Sequence, residues 1–262
     1  MTPPRSYLFV PGNRPDRFAK AYASQADAVV IDLEDAVPPA ERDAARAHVA
    51  NWLSPAHPVL IRITGTNEDH ALCEKPGVAG VVLPKAERIE DLAAIPHSRL
   101  FPIIETARGF WNLSALAHAP HVERLMFGHI DFQLDLGIHG EGEELLYFRS
   151  QLVLVSRIAG LAPPVDGITT AFHTPDPIRT DAQRARRLGF GGKLCIHPNQ
   201  VLIVNECFRP TPEEVSWAKR IVEATASTNG EAISLDGNMI DRPVVARAQA
   251  ILAQIDIGGI SR

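Results

Sequence analysis

Apolar residues fall along this chain in short runs, most of them stopped by glycine, proline or a charged residue. Such runs read as strands at "SYLFV" (6–10), "AVVIDL" (28–33), "VLIRI" (59–63), "AGVVL" (79–83), "LFPII" (100–104), "RLMFG" (124–128), "VDGITT" (165–170) and "GKLCI" (192–196). Most show little alternation between apolar and polar positions, as expected of parallel strands covered on both faces. Between them the period changes. In 145–160, Leu145, Phe148, Leu152, Val155 and Ala159 recur at steps of three and four, which predicts a helix. Further helices are expected over 15–23, 40–50, 88–95, 110–118 and 176–188.

Eight strands alternating with helices predict an α/β fold, a closed (β/α)₈ barrel, which typically needs about 250 residues. An open doubly wound sheet is the alternative, but no G-x-G-x-x-G or GK[ST] loop follows any strand. We therefore expect a catalytic barrel over 1–210 and a C-terminal extension over 211–262. The extension would comprise a helix (211–225), the Gly/Asn/Asp-rich stretch "TNGEAISLDGNMIDRP" (228–243) and a last helix to about 256. It is a candidate lid or subunit-contact arm.

The 262 residues suffice for a large core, and a net charge of −5 argues against nucleic acid and anionic membrane surfaces as partners. No apolar run approaches the ~20 residues of a membrane span. The N-terminus lacks a charged-then-apolar signal layout, and three cysteines without a C-x-x-C pair fit a reducing compartment. A cytoplasmic location is the expectation.

In such a barrel the chemistry sits at the C-terminal strand ends. There the sequence places Pro11, Gly12, Asn13 and Arg14; Asp32, Glu34 and Asp35; Arg62; Lys85; Glu105; Asp131; Asp166 and Thr170; and His197. The opposite strand ends carry much less charge. Glu105 and Asp131, from neighbouring strands, suit a hard divalent cation whose shell is completed by waters and substrate. No His/Cys set has zinc-like spacing, so Mg²⁺ is preferred, with Mn²⁺ as an alternative. Glu105 could instead pair with a rim arginine. Arg62 suits a substrate carboxylate or a developing enolate, and equally a salt bridge to Glu34 or Asp35. Asn13, Arg14 and Arg17 sit where a strand-to-helix turn could hold a phosphate, while also reading as a plain helix start. His129 and His197 are either general bases or hydrogen-bonded rim residues. Cys195 reads as core.

Taken together, "RSYLFVPGNRPDRF", "VVIDLEDAV", "IRI", "VVLPKAE", "PIIETARG", "FGHIDFQLDLG", "GKLCIHPNQV" and "DGNMIDRPVVARA" resemble the citrate lyase β-subunit-like proteins. These belong to the HpcH/HpaI aldolase superfamily, and the likeness runs in order from about residue 5 to 252. It implies a TIM barrel that uses Mg²⁺ to cleave or form carbon–carbon bonds in acyl-CoA or acyl-carrier thioesters. On that resemblance Glu105 and Asp131 match the metal ligands, and Arg62 matches the substrate arginine. The "PGNRPDR" loop is similar to the CoA-approach loop. We place Asn13, Arg14, Arg17, Glu34, Asp35 and Lys85 among the substrate- and CoA-binding residues. Asp241 is similar to a lid aspartate that reaches into a neighbouring subunit's site as acid/base, which implies a homo-oligomer, trimer or hexamer. The chain departs at "GHID" (128–131), where many relatives read G-A-E-D.

The expected reaction is retro-Claisen cleavage of a 3-hydroxyacyl-CoA of the malyl-, citramalyl- or citryl-CoA type. Three readings compete with it: a metal-dependent aldolase of free 4-hydroxy-2-keto acids, a malyl-CoA-type thioesterase, and a subunit of a multi-protein citrate lyase working with an acyl-carrier protein.

Overall fold

A computed structural model of the chain describes residues 3–226 and 232–256, so 1–2 of the expected barrel segment, 228–231 of the Gly/Asn/Asp-rich stretch and 257–262 of the extension lie outside the described residues. The chain divides into two compact units. Residues 4–208 form one, and the described residues after 208 belong to the other.

In the first unit eight parallel strands close into a barrel in sequence order. They are β1 (Ser6–Pro11), β2 (Ala28–Asp32), β3 (Val59–Arg62), β4 (Val78–Leu83), β5 (Leu100–Ile104), β6 (Met126–Phe127), β7 (Val165–Asp166) and β8 (Gly192–Cys195). The surrounding helices are α1 (Phe18–Tyr22), α2 (Arg42–Trp52), α3 (Asn67–Cys73), α4 (Ile89–Ala93), α5 (Ala107–Trp111), α6 (Leu113–Ala117), α7 (His129–Leu136), α8 (Leu146–Ile158), α9 (Pro175–Leu188) and α10 (Pro198–Cys207). The closed barrel settles the choice against an open sheet.

Strand parity explains both the near-continuous apolar runs and the placement of the site. Tyr7, Val30, Leu60, Val82, Phe101, Ile103, Met126, Val165 and Leu194 pack together inside the barrel. Their strand neighbours Leu8, Val29, Ile31, Ile61, Val81, Leu100 and Ile104 join the larger cluster between strands and helices. Both faces are buried, so both are apolar. Because side chains alternate, the inward series continues to Asp32, Arg62 and Glu105 at the barrel mouth. At the other end, buried Arg124 binds the carbonyls of Pro4 and Pro163 and the Tyr7 hydroxyl (3.0 Å), a polar plug held by backbone acceptors through Nε and Nη1, with Nη2 left without a hydrogen-bond partner among the described residues.

β6 and β7 hold only two residues each, against the longer runs expected. At β6 the chain turns directly into α7. After β7, a Cβ on Gly167 would lie 2.0 Å from His129 Nδ1, so the backbone there is pressed against the His129 ring. The expected helix over 110–118 is two short helices meeting at Asn112, and 15–23 is a 3₁₀ turn leading into α1.

In the second unit, α11 (Pro212–Thr225) and α12 (Arg242–Asp256) flank a hairpin of β9 (Ile233–Leu235) and β10 (Asn238–Ile240). The hairpin turn is Asp236-Gly237, both at positive φ (52° and 76°), as a two-residue turn with the right twist demands. Ala218, Ile221, Ile240, Ala248 and Ile251 form this unit's own core. Thr211 and Glu214 make a reciprocal cap on α11.

Candidate active site

The mouth of the barrel gathers charge from β2 to β6. Asp32 and Arg62 are register partners at the ends of β2 and β3. Their side chains meet as a fork, Nε to Oδ1 and Nη2 to Oδ2, both at 2.6 Å. Arg62 Nη1 also lies 3.1 Å from Glu34 and 3.3 Å from Asp35, and its guanidinium sits 4.9 Å from the centre of the Phe9 ring. Burial works against this cation, but the Asp32 hydrogen bonds and charge outweigh it and hold its pKa above the ordinary arginine value. Asp32 also accepts the backbone N–H groups of Glu34 (2.9 Å) and Ala36 (3.0 Å), so one buried carboxylate shapes the turn and aims the arginine. The expected Glu34 and Asp35 contacts are present, but the main partner is Asp32.

Glu34 in turn meets Lys85 Nζ at 2.5 Å. Burial first, then the Asp35 hydrogen bond, raises the Glu34 pKa. Asp35 is partly buried too, yet the hydrogen bond from Glu34 and the charges of Arg62 and Lys85 lower its pKa. Lys85 adopts φ +49°, rare for a side-chain-bearing residue, and that conformation points its N–H at Glu105 Oε1, 2.7 Å away. Local strain is stored where a buried carboxylate needs a donor.

Glu105 is 2% exposed, and the Lys85 amide is its hydrogen-bond donor. Burial, with a further push from the Asp131 charge, drives its pKa up to about 8 against the pull of the Lys85 amide, Arg62 and Lys85. A Cβ on Gly128 would lie 2.2 Å from Glu105 Oε2, so glycine there makes room for the carboxylate. Asp131 projects from the first turn of α7 and makes no hydrogen bond or ion pair among the described residues. A buried carboxylate whose ionisation is opposed by burial and by a neighbouring carboxylate suits a divalent cation as counter-charge. Among the described residues no cluster of three or more His, Cys, Asp or Glu could complete an all-protein metal cage, so waters or substrate must fill the shell.

Asn13 donates to Glu41 (2.5 Å), and Arg14 is engaged by Asp16 on the same loop (2.9 and 2.8 Å). Arg17 makes no side-chain ion pair among the described residues. Asp241 belongs to the second unit, where its carboxylate caps α12 by accepting the Val244 N–H (3.3 Å). His197 caps α10 by accepting the Asn199 N–H at 3.1 Å, which is a rim role.

His129 opens α7, and its Nε2 lies 3.8 Å from Glu141 Oε2. It is 1% exposed, and neither ring nitrogen has a hydrogen-bond partner. It faces a buried ionic cluster behind the strands: Asp166 bonds Arg149 at 3.0 Å, and Lys193 donates to the Gly167 carbonyl at 2.7 Å. Burial chiefly, with Lys193 and Arg149, pushes the imidazole down to about 4. Sequence reasoning missed this cluster, although a lysine, an aspartate and an arginine inside otherwise apolar elements were its signal. Cys195 lies fully buried, its thiol pushed up to about 12, as a core residue should be.

The sequence model described as HpcH/HpaI aldolase/citrate lyase matches residues 5–198. A citrate lyase subunit beta-like protein of Deinococcus radiodurans is 38% identical, across 95% of this chain and 96% of its own. A (3S)-malyl-CoA thioesterase of Cereibacter sphaeroides is 30% identical, across 96% of both. The crystal structure of CitE from Mycobacterium tuberculosis in complex with magnesium, acetoacetate and coenzyme A superposes with a TM-score of 0.87 at 30% identity, covering 97% of this chain and 98% of that one.

Proposed function

The chain belongs to the HpcH/HpaI aldolase/citrate lyase family and is a lyase of that family, and we propose that it cleaves a 3-hydroxyacyl-CoA of the malyl-, citramalyl- or citryl-CoA type to acetyl-CoA and a 2-keto acid. The observation that carries this reading is Glu105, a buried carboxylate held by a strained backbone donor beside Asp131. These two residues would hold Mg²⁺, the ion bound with coenzyme A in the M. tuberculosis relative, with Mn²⁺ as a substitute. When bound, the ion supplies Lewis acidity to an oxygen of the substrate.

The remaining work falls to the chain's own groups. Arg62, aimed by Asp32, presents positive charge to the substrate carboxylate and to the enolate that develops as the carbon–carbon bond breaks. Glu34, Asp35 and Lys85 form the wall beside it and limit what fits. A base takes the hydroxyl proton, the bond to the thioester α-carbon breaks, and protonation of the resulting enolate yields acetyl-CoA. We assign the base to Asp241 of a neighbouring copy, which makes the enzyme a homo-oligomer, trimer or hexamer, with residues 211–262 as lid and subunit contact. Asn13, Arg14 and Arg17 flank the approach of the CoA chain.

The likeness to a malyl-CoA thioesterase favours a second reading, hydrolysis of the thioester after or instead of cleavage. Glu105→Gln tests the main one. It keeps shape but removes the charge, so metal-dependent turnover should fall at least 10²-fold while circular dichroism and melting stay near wild type. Retained turnover would overturn the assignment.

A further inference from the structure

Asp131 makes no hydrogen bond or ion pair among the described residues, so its place beside Glu105 is set by the helix that carries it. One turn further along that helix, Asp135 Oδ2 accepts the backbone N–H of Ala107 at 2.7 Å, which joins α7 to the first residue of α5. Residues 131 and 135 are four apart on one helix and so share a face, while Ala107 follows Glu105 by two. The bond therefore ties together the two segments that carry the carboxylates, close to both of them. On the buried side of the same helix pair, Phe132 meets Phe110 edge to face, with ring centroids 5.8 Å apart.

The α5 end of this clamp is itself fixed. Thr106 accepts the Gly109 N–H (3.0 Å) and donates to Glu87 (2.9 Å), and Asn112 donates to the Glu87 carbonyl (2.8 Å). Glu87 lies two residues beyond Lys85, whose amide holds Glu105. The loop after β4 thus fixes both Glu105 and the start of α5, and from that start Asp135 takes its donor. Among the described residues no group of three His, Cys, Asp or Glu could hold a metal ion, so Asp135 does not act as a third ligand.

We propose that Asp135 is a positioning residue for the metal site, setting the separation of Glu105 and Asp131 by accepting the Ala107 N–H. The proposal rests on the reading that these two carboxylates hold the divalent cation. Its action runs through the hydrogen bond, which distinguishes it from an aspartate that merely adds negative potential near a cation.

Three variants separate the bond from the charge. Asp135→Ala removes both, and Asp135→Asn removes the charge but keeps an oxygen that can accept the N–H. Ala107→Pro removes the donor and leaves the carboxylate in place. Proline is tolerated at the first position of a helix, and Thr106 already has the extended backbone (φ −135°, ψ 156°) that a following proline requires. The readout is calorimetric titration of the metal-free protein with Mg²⁺ alone. Loss of outer-shell support typically costs about 10- to 100-fold in metal affinity, so Asp135→Ala and Ala107→Pro should each raise the Kd at least about 10-fold. Asp135→Asn should stay within about threefold of wild type. Because the bond is exposed, metal-free melting temperatures should stay within about 5 °C of wild type. Equal Kd values for wild type and Asp135→Ala would overturn the proposal. So would Asp135→Asn binding as weakly as Asp135→Ala while Ala107→Pro binds like wild type, the pattern of a charge acting through space. Wild type that takes up no Mg²⁺, or Glu105→Gln that takes it up as wild type does, would overturn the metal reading itself and the clamp with it.

Discussion

Gly128→Ala isolates the support of the two carboxylates proposed to hold the metal from their chemistry. The new Cβ would sit 2.2 Å from Glu105 Oε2, 2.6 Å from Glu105 Cβ and 2.9 Å from Ile103 Cγ2, where ordinary contact begins near 3.4 Å. An overlap above 1 Å with a buried side chain costs ~1–3 kcal/mol as overpacking. Relieving it swings the Glu105 carboxyl off the Lys85 amide, losing a hydrogen bond of about 0.5–1.5 kcal/mol. The combined ~1.5–4.5 kcal/mol predicts a melting temperature about 3–18 °C below wild type. Magnesium at 100 times its Kd should stabilise wild type by about 2.7 kcal/mol, or roughly 5–11 °C. The variant should keep less than about a third of that shift, because Glu105 no longer faces Asp131 as it did. The assay is thermal melting by circular dichroism, with and without magnesium. A variant that melts within about 2 °C of wild type and keeps the full magnesium shift would refute the packing argument.

Asp32→Asn removes the charge that grips Arg62 through two 2.6 Å contacts; urea unfolding should show a loss of about 3–5 kcal/mol, and kcat should fall with it. For His129, the folded pKa near 4 lies below the ordinary value of 6.5, so the unfolded chain binds the extra proton first as pH falls. The stability linked to this group is therefore complete above pH 6.5 and lost between 6.5 and about 4, at ~1.4 kcal/mol per pH unit. His129→Asn should flatten urea-derived stability against pH across that window, and equal slopes for the two proteins would contradict the burial argument.

Much of the barrel was legible because burial on both faces leaves an unmistakable apolar run. Where pairing is short, as at Met126–Phe127 and Val165–Asp166, the runs overstated the strands. Nothing in "RLMFG" shows that the chain turns into a helix at His129. The helices α3, α7 and α10 went unread. α3 is short and largely polar, α7 follows β6 without a loop, and α10 has only a weak periodic face. The rim carboxylates and Arg62 were legible from strand ends alone, because parity carries them into the barrel mouth. The partner of Arg62 was not. Spacing along the chain pointed to Glu34 and Asp35, whereas the register across β2 and β3 sets Asp32 opposite Arg62. The bond from Ala107 to Asp135 joins helices across 28 residues of chain, and no local pattern encodes that meeting.

We propose metal-dependent carbon–carbon cleavage of a CoA thioester at Glu105, Asp131 and Arg62. Its most direct test incubates the purified protein with malyl-CoA, citramalyl-CoA and citryl-CoA, with magnesium or with EDTA, and identifies the products by mass spectrometry. Acetyl-CoA together with a 2-keto acid should form from one of the three, and EDTA should abolish it. Free coenzyme A appearing without acetyl-CoA, or cleavage only of CoA-free hydroxy-keto acids, would contradict it.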